Sequence, residues 1–212
     1  SGTPGFDIFG AYGNVKNIEL NYPESQVNFH YLDSLSKANI QSSSSITGQI
    51  FNPFNFDAPI ISNYQLANDL SQAHISGQYT ANQQDVNLYY DKASEVIVNL
   101  LDSETGKTIQ SPKILKGYAR QSYSISPPTL SNYRLDTKKT NKSLAGNYGN
   151  SDKVVNLYYD QASSVTFNLM NGSQLLSSHT LTGYSGDTFT YIPPFLTNFR
   201  RTQTPQKGLY KN

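Results

Sequence analysis

Apolar and polar residues alternate in short runs along this chain. Val27, Phe29 and Tyr31 are separated by Asn28 and His30, Val86, Leu88 and Tyr90 by Asn87 and Tyr89, and Val165, Phe167 and Leu169 by Thr166 and Asn168. A period of two puts every second side chain on one face of an extended chain, so each run predicts a half-buried strand. No long stretch keeps a 3.6-residue stripe, which limits helix to single short turns near Pro59, Pro127 and Pro193. Asp102-Ser103-Glu104-Thr105-Gly106 and Asn171-Gly172 supply the turn of a first hairpin, and Asp33 holds the corresponding place upstream.

These runs recur at a fixed interval. Val86-Asn87-Leu88-Tyr89-Tyr90-Asp91 returns 69 residues later as Val155-Asn156-Leu157-Tyr158-Tyr159-Asp160, and more weakly as Ile18-Glu19-Leu20-Asn21-Tyr22. Other strand-like runs open at Val27, Val96 and Val165, each followed by a glycine (Gly48, Gly117, Gly183), a proline (Pro59, Pro128, Pro194) and an Asn-aromatic step (Asn63-Tyr64, Asn132-Tyr133, Asn198-Phe199). Gly-x-Tyr steps at Gly77, Gly146 and Gly208 complete the pattern. The units therefore run 24–92, 93–161 and 162–212, with 1–23 carrying the closing strand of an upstream unit and the third unit stopping before its own. Some 67 residues is too little for an immunoglobulin sandwich of about 100, so a small mixed sheet is expected. A domain that size buries only about 60% of its extended surface, so the aromatics that repeat (Phe54 with Tyr123 and Phe189, Tyr64 with Tyr133 and Phe199) are read as core.

Composition narrows the function classes. Sixteen Lys and Arg against 15 Asp and Glu give a net charge of +1, with no block of like charge to track a phosphate backbone, so nucleic acid is excluded as a partner. Cys and Trp are absent while Tyr numbers 16, a profile that suits a module exposed outside a Gram-positive cell rather than a disulfide-stapled or thiolate-metal domain. No apolar run approaches 18 residues and the N-terminus shows no basic-then-apolar leader, so a mature fragment with no membrane insertion is expected.

Candidate chemistry is sparse. His30, His74 and His179 fall at different phases of the repeat, and no nucleophile elbow or phosphate loop is present, so neither catalysis nor a cofactor is expected. Asp102, Glu104 and Gly106 could sketch a calcium loop, but the equivalent turns at Asp33 and Asn171 lose the second carboxylate, and a plain hairpin turn explains all three. Ser42-Ser43-Ser44-Ser45 sits inside a unit, as a variable loop or strand edge. Aromatics that face outward or are not shared between copies are the ligand candidates: Tyr89 and Tyr158 on the polar face of the closing strand, and Phe51.

Read from Val96, the order Leu101-Asp102, a turn, Leu115-x-Gly117, Tyr123, Pro128, Tyr133-x-Leu135, Gly146-x-Tyr148 and Val155-Asn156-Leu157-Tyr158-Tyr159 resembles the MucBP (mucin-binding protein) repeat of Lactobacillus-type surface adhesins. The resemblance covers nearly the whole chain, once per unit. It implies a mainly β, ubiquitin-like β-grasp fold with first and last strands parallel. Units in a rod would be joined by short linkers at Pro23 to Gln26, Asp91 to Glu95 and Asp160 to Ser164. It also implies a repeat region of a cell-surface adhesin, extracellular and wall-anchored through other regions, whose partners are host mucin or glycoprotein glycans bound by many weak contacts. A stalk that binds nothing and only projects a distal domain fits the same residues. The frame itself has an alternative, in which Val86 to Tyr90 and Val96 to Leu100 form a hairpin across Asp91 to Glu95. In the family frame the third unit exposes the edge of its opening strand, and the upstream strand Val15 to Tyr22 could fill it head to tail in another copy, the alternative being a monomer.

Overall fold

The computed structural model describes residues 23–140, 143–197, 200 and 204–212. Its strands, in order, are β1 (Glu24–Asp33), β2 (Ser44–Gln49), β3 (Pro53–Asp57), β4 (Tyr64–Leu66), β5 (His74–Gln78), β6 (Gln84–Asp102), β7 (Thr108–Tyr118), β8 (Ser122–Ser124), β9 (Tyr133–Leu135), β10 (Ala145–Asn147), β11 (Lys153–Asn171), β12 (Gln174–Tyr184), β13 (Thr188–Tyr191) and β14 (Gln206–Leu209). No helix occurs among the described residues, and the segments after Pro59, Pro127 and Pro193 are irregular rather than helical. Val15 to Tyr22 and Phe199 lie outside the described residues.

The fold is mainly β, built as tandem small sheets. In the first module β1 pairs antiparallel with β2 and parallel with β6, from Val27 opposite Gln84 to Asp33 opposite Tyr90. The second module repeats this with the far half of β6 as its opening strand, antiparallel to β7 and parallel to β11 from Lys153 opposite Val96 to Tyr159 opposite Asp102. First and last strands thus lie side by side and parallel, the β-grasp arrangement that the resemblance implied.

Nineteen residues of β6 and nineteen of β11 each serve two modules, as closing strand of one and opening strand of the next. The segments 91–95 and 160–164, read from sequence as linkers, are therefore strand interior, and Glu24 to Gln26 begin β1. The hairpin across Asp91 to Glu95 does not form. A parallel pair demands that the chain leave a module at the end opposite its entry. Continuing straight on satisfies that demand without a turn. The result is one eight-stranded sheet through all three modules, with β3 and β5, β8 and β10, and β13 and β14 as separate two-stranded sheets.

Two cores follow the alternation. Val27, Phe29, Tyr31, Leu88 and Tyr90 are buried with Phe54 and Tyr79 in the first module. Val96, Val98, Leu100, Val155, Leu157 and Tyr159 are buried with Tyr123, Ile125 and Tyr148 in the second. Phe29 stacks on Phe56 with centroids 3.6 Å apart, and Phe167 on Tyr191 at 4.1 Å. The corresponding second-module positions are the aliphatic Val98 and Ile125, which is where the extra Phe content of the first module goes. The phenol of each closing strand is anchored alike, Tyr90 donating to Pro59 O at 2.9 Å and Tyr159 to Pro128 O at 2.8 Å. Burial of Tyr90, together with the neighbouring Tyr31, pushes its phenol up to about 12.

Glycines explain the Gly-x-Tyr steps. In register, Gly77 faces Phe54, Gly146 faces Tyr123 and Gly208 faces Phe189 across their small sheets. A second set, Gly48, Gly117 and Gly183, lies beneath the rings of Tyr79, Tyr148 and Tyr210, where a methyl group would overlap the ring. Each module therefore rests two rings on two bare stretches of backbone. Replacing Gly117 by Ala forces the Tyr148 ring out of its seat and should lower stability by about 1–3 kcal/mol. Gly149→Ala, where nothing lies within 4 Å, should be close to neutral. Chemical denaturation of the two variants checks the difference.

Candidate functional site

The places where one module meets the next concentrate the polar chemistry of this chain. At the centre of each shared strand sits an aspartate, Asp91 in β6 and Asp160 in β11. Alternation places it on the face opposite Tyr90 or Tyr159, and Asp91 is only 8% exposed. A carboxylate this covered needs charged or hydrogen-bonding partners. Ser34 donates to Asp91 and Ser103 to Asp160, each serine following the aspartate that ends the opening strand of the same module.

The charge is matched by arginine, from a different position at each junction. At the first, Arg120 of the second module donates Nε to Asp91 Oδ1 at 2.7 Å and Nη2 to Oδ2 at 2.8 Å, while its Nη1 reaches Asp69 of the first module at 2.6 Å. At the second, Arg134 of the second module donates to Asp160 at 3.0 Å and to both oxygens of Asp187 in the third at 2.8 Å. The strand register explains the swap. Arg134 lies directly across from Asp160, and at the first junction that place, across from Asp91, is held by Gln65. Arg120 lies three residues after Gly117, where the third module has Gly186. Both have positive φ, 70° and 84°, as does Phe51 in the first module at 70°. Arg120 accepts this backbone, which favours glycine, while making its four charge-assisted hydrogen bonds.

A second contact crosses each junction at the hairpin turn. Asp33 Oδ1 accepts from the amides of Leu35 and Ser36, and from Asn150 Nδ2 of the second module at 2.7 Å. Asp102 repeats the arrangement with Glu104 and Thr105, and its Oδ2 accepts from Asn212 Nδ2 at 2.7 Å. Burial works against both carboxylates, but the hydrogen bonds outweigh it and hold them below the ordinary range. Asp102 is thus a hairpin-turn acceptor, as its spacing suggested. Among the described residues no three His, Cys, Asp or Glu side chains gather as a metal site requires.

The sequence-derived ligand residues are scattered. Tyr89 and Tyr158 occupy equivalent, half-buried places in β6 and β11. Each ring carries a lysine ammonium over its face, Lys37 at 4.2 Å and Lys139 at 4.6 Å, again from different repeat positions. Phe51 is 78% exposed at the turn after β2, the repeat position from which Arg120 reaches the preceding module. The histidines stay apart. His30 pairs with Asp85 at 2.9 Å, His74 with Asp57 at 2.7 Å, and His179 stacks on Tyr191. Sequence reading missed Arg120 and Arg134, because both positions change residue type along the chain: Arg120 corresponds to Phe51 and Gly186, and Arg134, although matched by Arg200, corresponds to Gln65 in the first unit.

Beside the first junction lies an open groove of about 560 Å³, lined by residues that include Asn63, Gln65, Tyr118 and Gln121. Its counterpart at the second junction is lined by Ala162, Ser163, Ser164, Thr182, Gly183 and Tyr184. There the Arg134 guanidinium lies over the Tyr184 ring at 4.6 Å.

The sequence profile of the MucBP domain matches residues 26–91, 95–160 and 164–212. Internalin J of Listeria monocytogenes serotype 4b is 27% identical over 209 residues, covering 93% of this chain, and Internalin J of serovar 1/2a is 27% identical over 190 residues, covering 84%. The chain spans 22% of the length of each. Among solved structures it is similar to the crystal structure of Mub-RV, with 10% identity and a TM-score of 0.25 over 63% of this chain and 97% of that one. It is also similar to the Streptococcal High Identity Repeats in Tandem (SHIRT) domains 3-4 of a cell surface protein, with 5% identity and a TM-score of 0.24 over 66% and 97%.

The clamps predict an acid-sensitive junction. Hydrogen bonds from Arg120 and from Arg134 hold Asp69 and Asp187 below the ordinary carboxylate range. A depressed carboxylate contributes above its unfolded value near 3.9 and loses that contribution as pH falls through its lower folded value. Hydrogen-exchange protection of residues 91–95 and 160–164, corrected for intrinsic rate, should hold steady from pH 7 to about 5 and fall below about 4. Arg134→Ala should lower protection at 160–164 at neutral pH while leaving 91–95 unchanged.

Proposed function

Because the chain belongs to the MucBP family, we propose that it is part of the repeat region of an extracellular, cell-surface adhesin that binds mucin or other host glycoprotein glycans. The observation that carries this reading is the threefold repetition of the family's module over 26–212. Weak contacts repeated along one molecule multiply into avidity without any deep pocket. The open junction groove suits shallow contacts of that kind. Tyr89, Tyr158 and Phe51 remain the proposed contact residues outside the junctions. Bound sugar at Tyr89 or Tyr158 must meet the ring edge or displace the covering lysine.

A stalk is the second reading, favoured by the shared strands and the arginine clamps, which hold successive modules in one orientation. Surface-immobilised mucin, with and without enzymatic deglycosylation, separates the two. An adhesin binds the intact mucin and loses at least roughly tenfold in affinity on the stripped one. A stalk binds neither at high micromolar concentration.

For self-association we propose head-to-tail pairing. In β11, residues 162–171 pair with β12 alone among the described residues, whereas the equivalent half of β6 is flanked by both β7 and β11. The alternating segment Val15 to Tyr22 has the closing-strand pattern that this edge lacks. Light scattering should show mass rising with concentration, and a concentration-independent monomer overturns the pairing.

A further inference from the structure

The two junctions are built on the same backbone, and each borders an open groove, but they differ in the side chains that line it. Three positions make the difference. Across from the central aspartate the second junction has Arg134 and the first has Gln65. Four residues beyond the ring-seating glycine the second has Asp187 and the first Gln121. Where the second therefore forms an arginine–carboxylate fork lying over the Tyr184 ring, the first has two amides, with Gln121 Nε2 3.5 Å from Gln65 Oε1, beside Tyr118. At the third position Ser163 donates to Lys211 O at 2.6 Å, whereas the buried hydroxyl of the equivalent Ser94 has no partner.

We propose that the first junction is a binding site for a single pyranose residue of a host glycan, and that at the second junction the Arg134 guanidinium covers the ring such a site would use. This deepens the adhesin reading and rests on it. The chemistry matches on two sides. An aromatic ring packs against the apolar C–H face of a pyranose, and Tyr118 supplies a ring over which no arginine lies. Vicinal hydroxyls need donors and acceptors side by side, and the carboxamides of Asn63 and Gln65 supply both from exposed positions. Gln121 is held in place at the groove wall, its Oε1 accepting from the Tyr118 amide at 3.0 Å. The Glu95–Lys116 ion pair, at 2.9 Å, borders the groove. A volume of about 560 Å³ is within the ordinary range for small-ligand sites, and the groove is polar enough to hold a sugar rather than an apolar ligand.

The test transplants the ion pair that covers the second ring. The 212-residue chain is titrated with galactose, N-acetylgalactosamine and fucose by saturation-transfer NMR, and its binding to immobilised mucin is measured in parallel. The double variant Gln65→Arg/Gln121→Asp installs the second junction's ion pair on exposed positions, and Tyr118→Leu removes the ring while keeping bulk. The expected result is saturation transfer from at least one sugar, reduced about tenfold or more in both variants, with unfolding midpoints close to that of the unaltered chain. Where one variant misfolds, the other still decides. Sugar binding that persists undiminished in a folded variant overturns the junction site and leaves the adhesin reading standing. Failure of the unaltered chain to bind any of the sugars or intact mucin overturns both.

Discussion

The parallel pairing of a module's first and last strands is the constraint from which the rest of this structure follows. A parallel pair cannot be closed by a tight turn, so the chain must exit at the end opposite its entry. Here it exits by continuing as the first strand of the next module. At about 3.3 Å per residue, a 19-residue strand reaches some 60 Å, and its ladder partners change halfway. Along β6, β1 and β4 flank the near half and β11 and β7 the far half. Two modules that share a hydrogen-bonded strand cannot swing about a loop, because there is no loop between them.

Sharing a strand creates a problem at its midpoint, where the ladder passes from one set of neighbours to the next and a side chain faces neither core. The chain places an aspartate there each time and surrounds it with donors, one serine from the module behind and one arginine that also grips an acid on the far side of the junction. Such a group is a registration device: a buried carboxylate left without its partners is expensive, so the arrangement that supplies them is selected over nearby ones. That Arg120 and Arg134 reach this outcome from unrelated repeat positions indicates that the physical requirement belongs to the junction rather than to any residue of the module.

This is also why the junctions were the least legible part of the sequence. The strands announced themselves, since Val27, Phe29 and Tyr31 or Val155, Leu157 and Tyr159 alternate with polar neighbours and all are buried. The glycines were visible as a spacing, though their reason, a ring lying on bare backbone, needed the third dimension. Asp91-Lys92-Ala93-Ser94-Glu95, by contrast, has the composition of a turn or linker. The Asp91 carboxylate is satisfied by Arg120 and Ser34 and the Glu95 backbone amide by Asp152, residues about 30 to 60 positions away. A repeat alignment looks for the same residue at the same phase, and it is blind to an arginine that moves from one phase to another.

The same compensation bears on where recognition can arise. Each small core uses its repeated aromatics for packing, with Phe54 and Tyr79, Tyr123 and Tyr148, or Phe189 and Tyr210 in contact over glycine. A change there costs the module its fold, so these positions have little freedom to vary toward a ligand. The junction demands only that one arginine reach the central aspartate. Where Arg120 meets that demand, Gln65, Gln121 and the Tyr118 ring are released from it. Where Arg134 meets it, the equivalent ring is covered. Which arginine carries the clamp therefore decides which junction leaves its groove-side ring uncovered, and a junction can hold the array together while its groove takes different side chains.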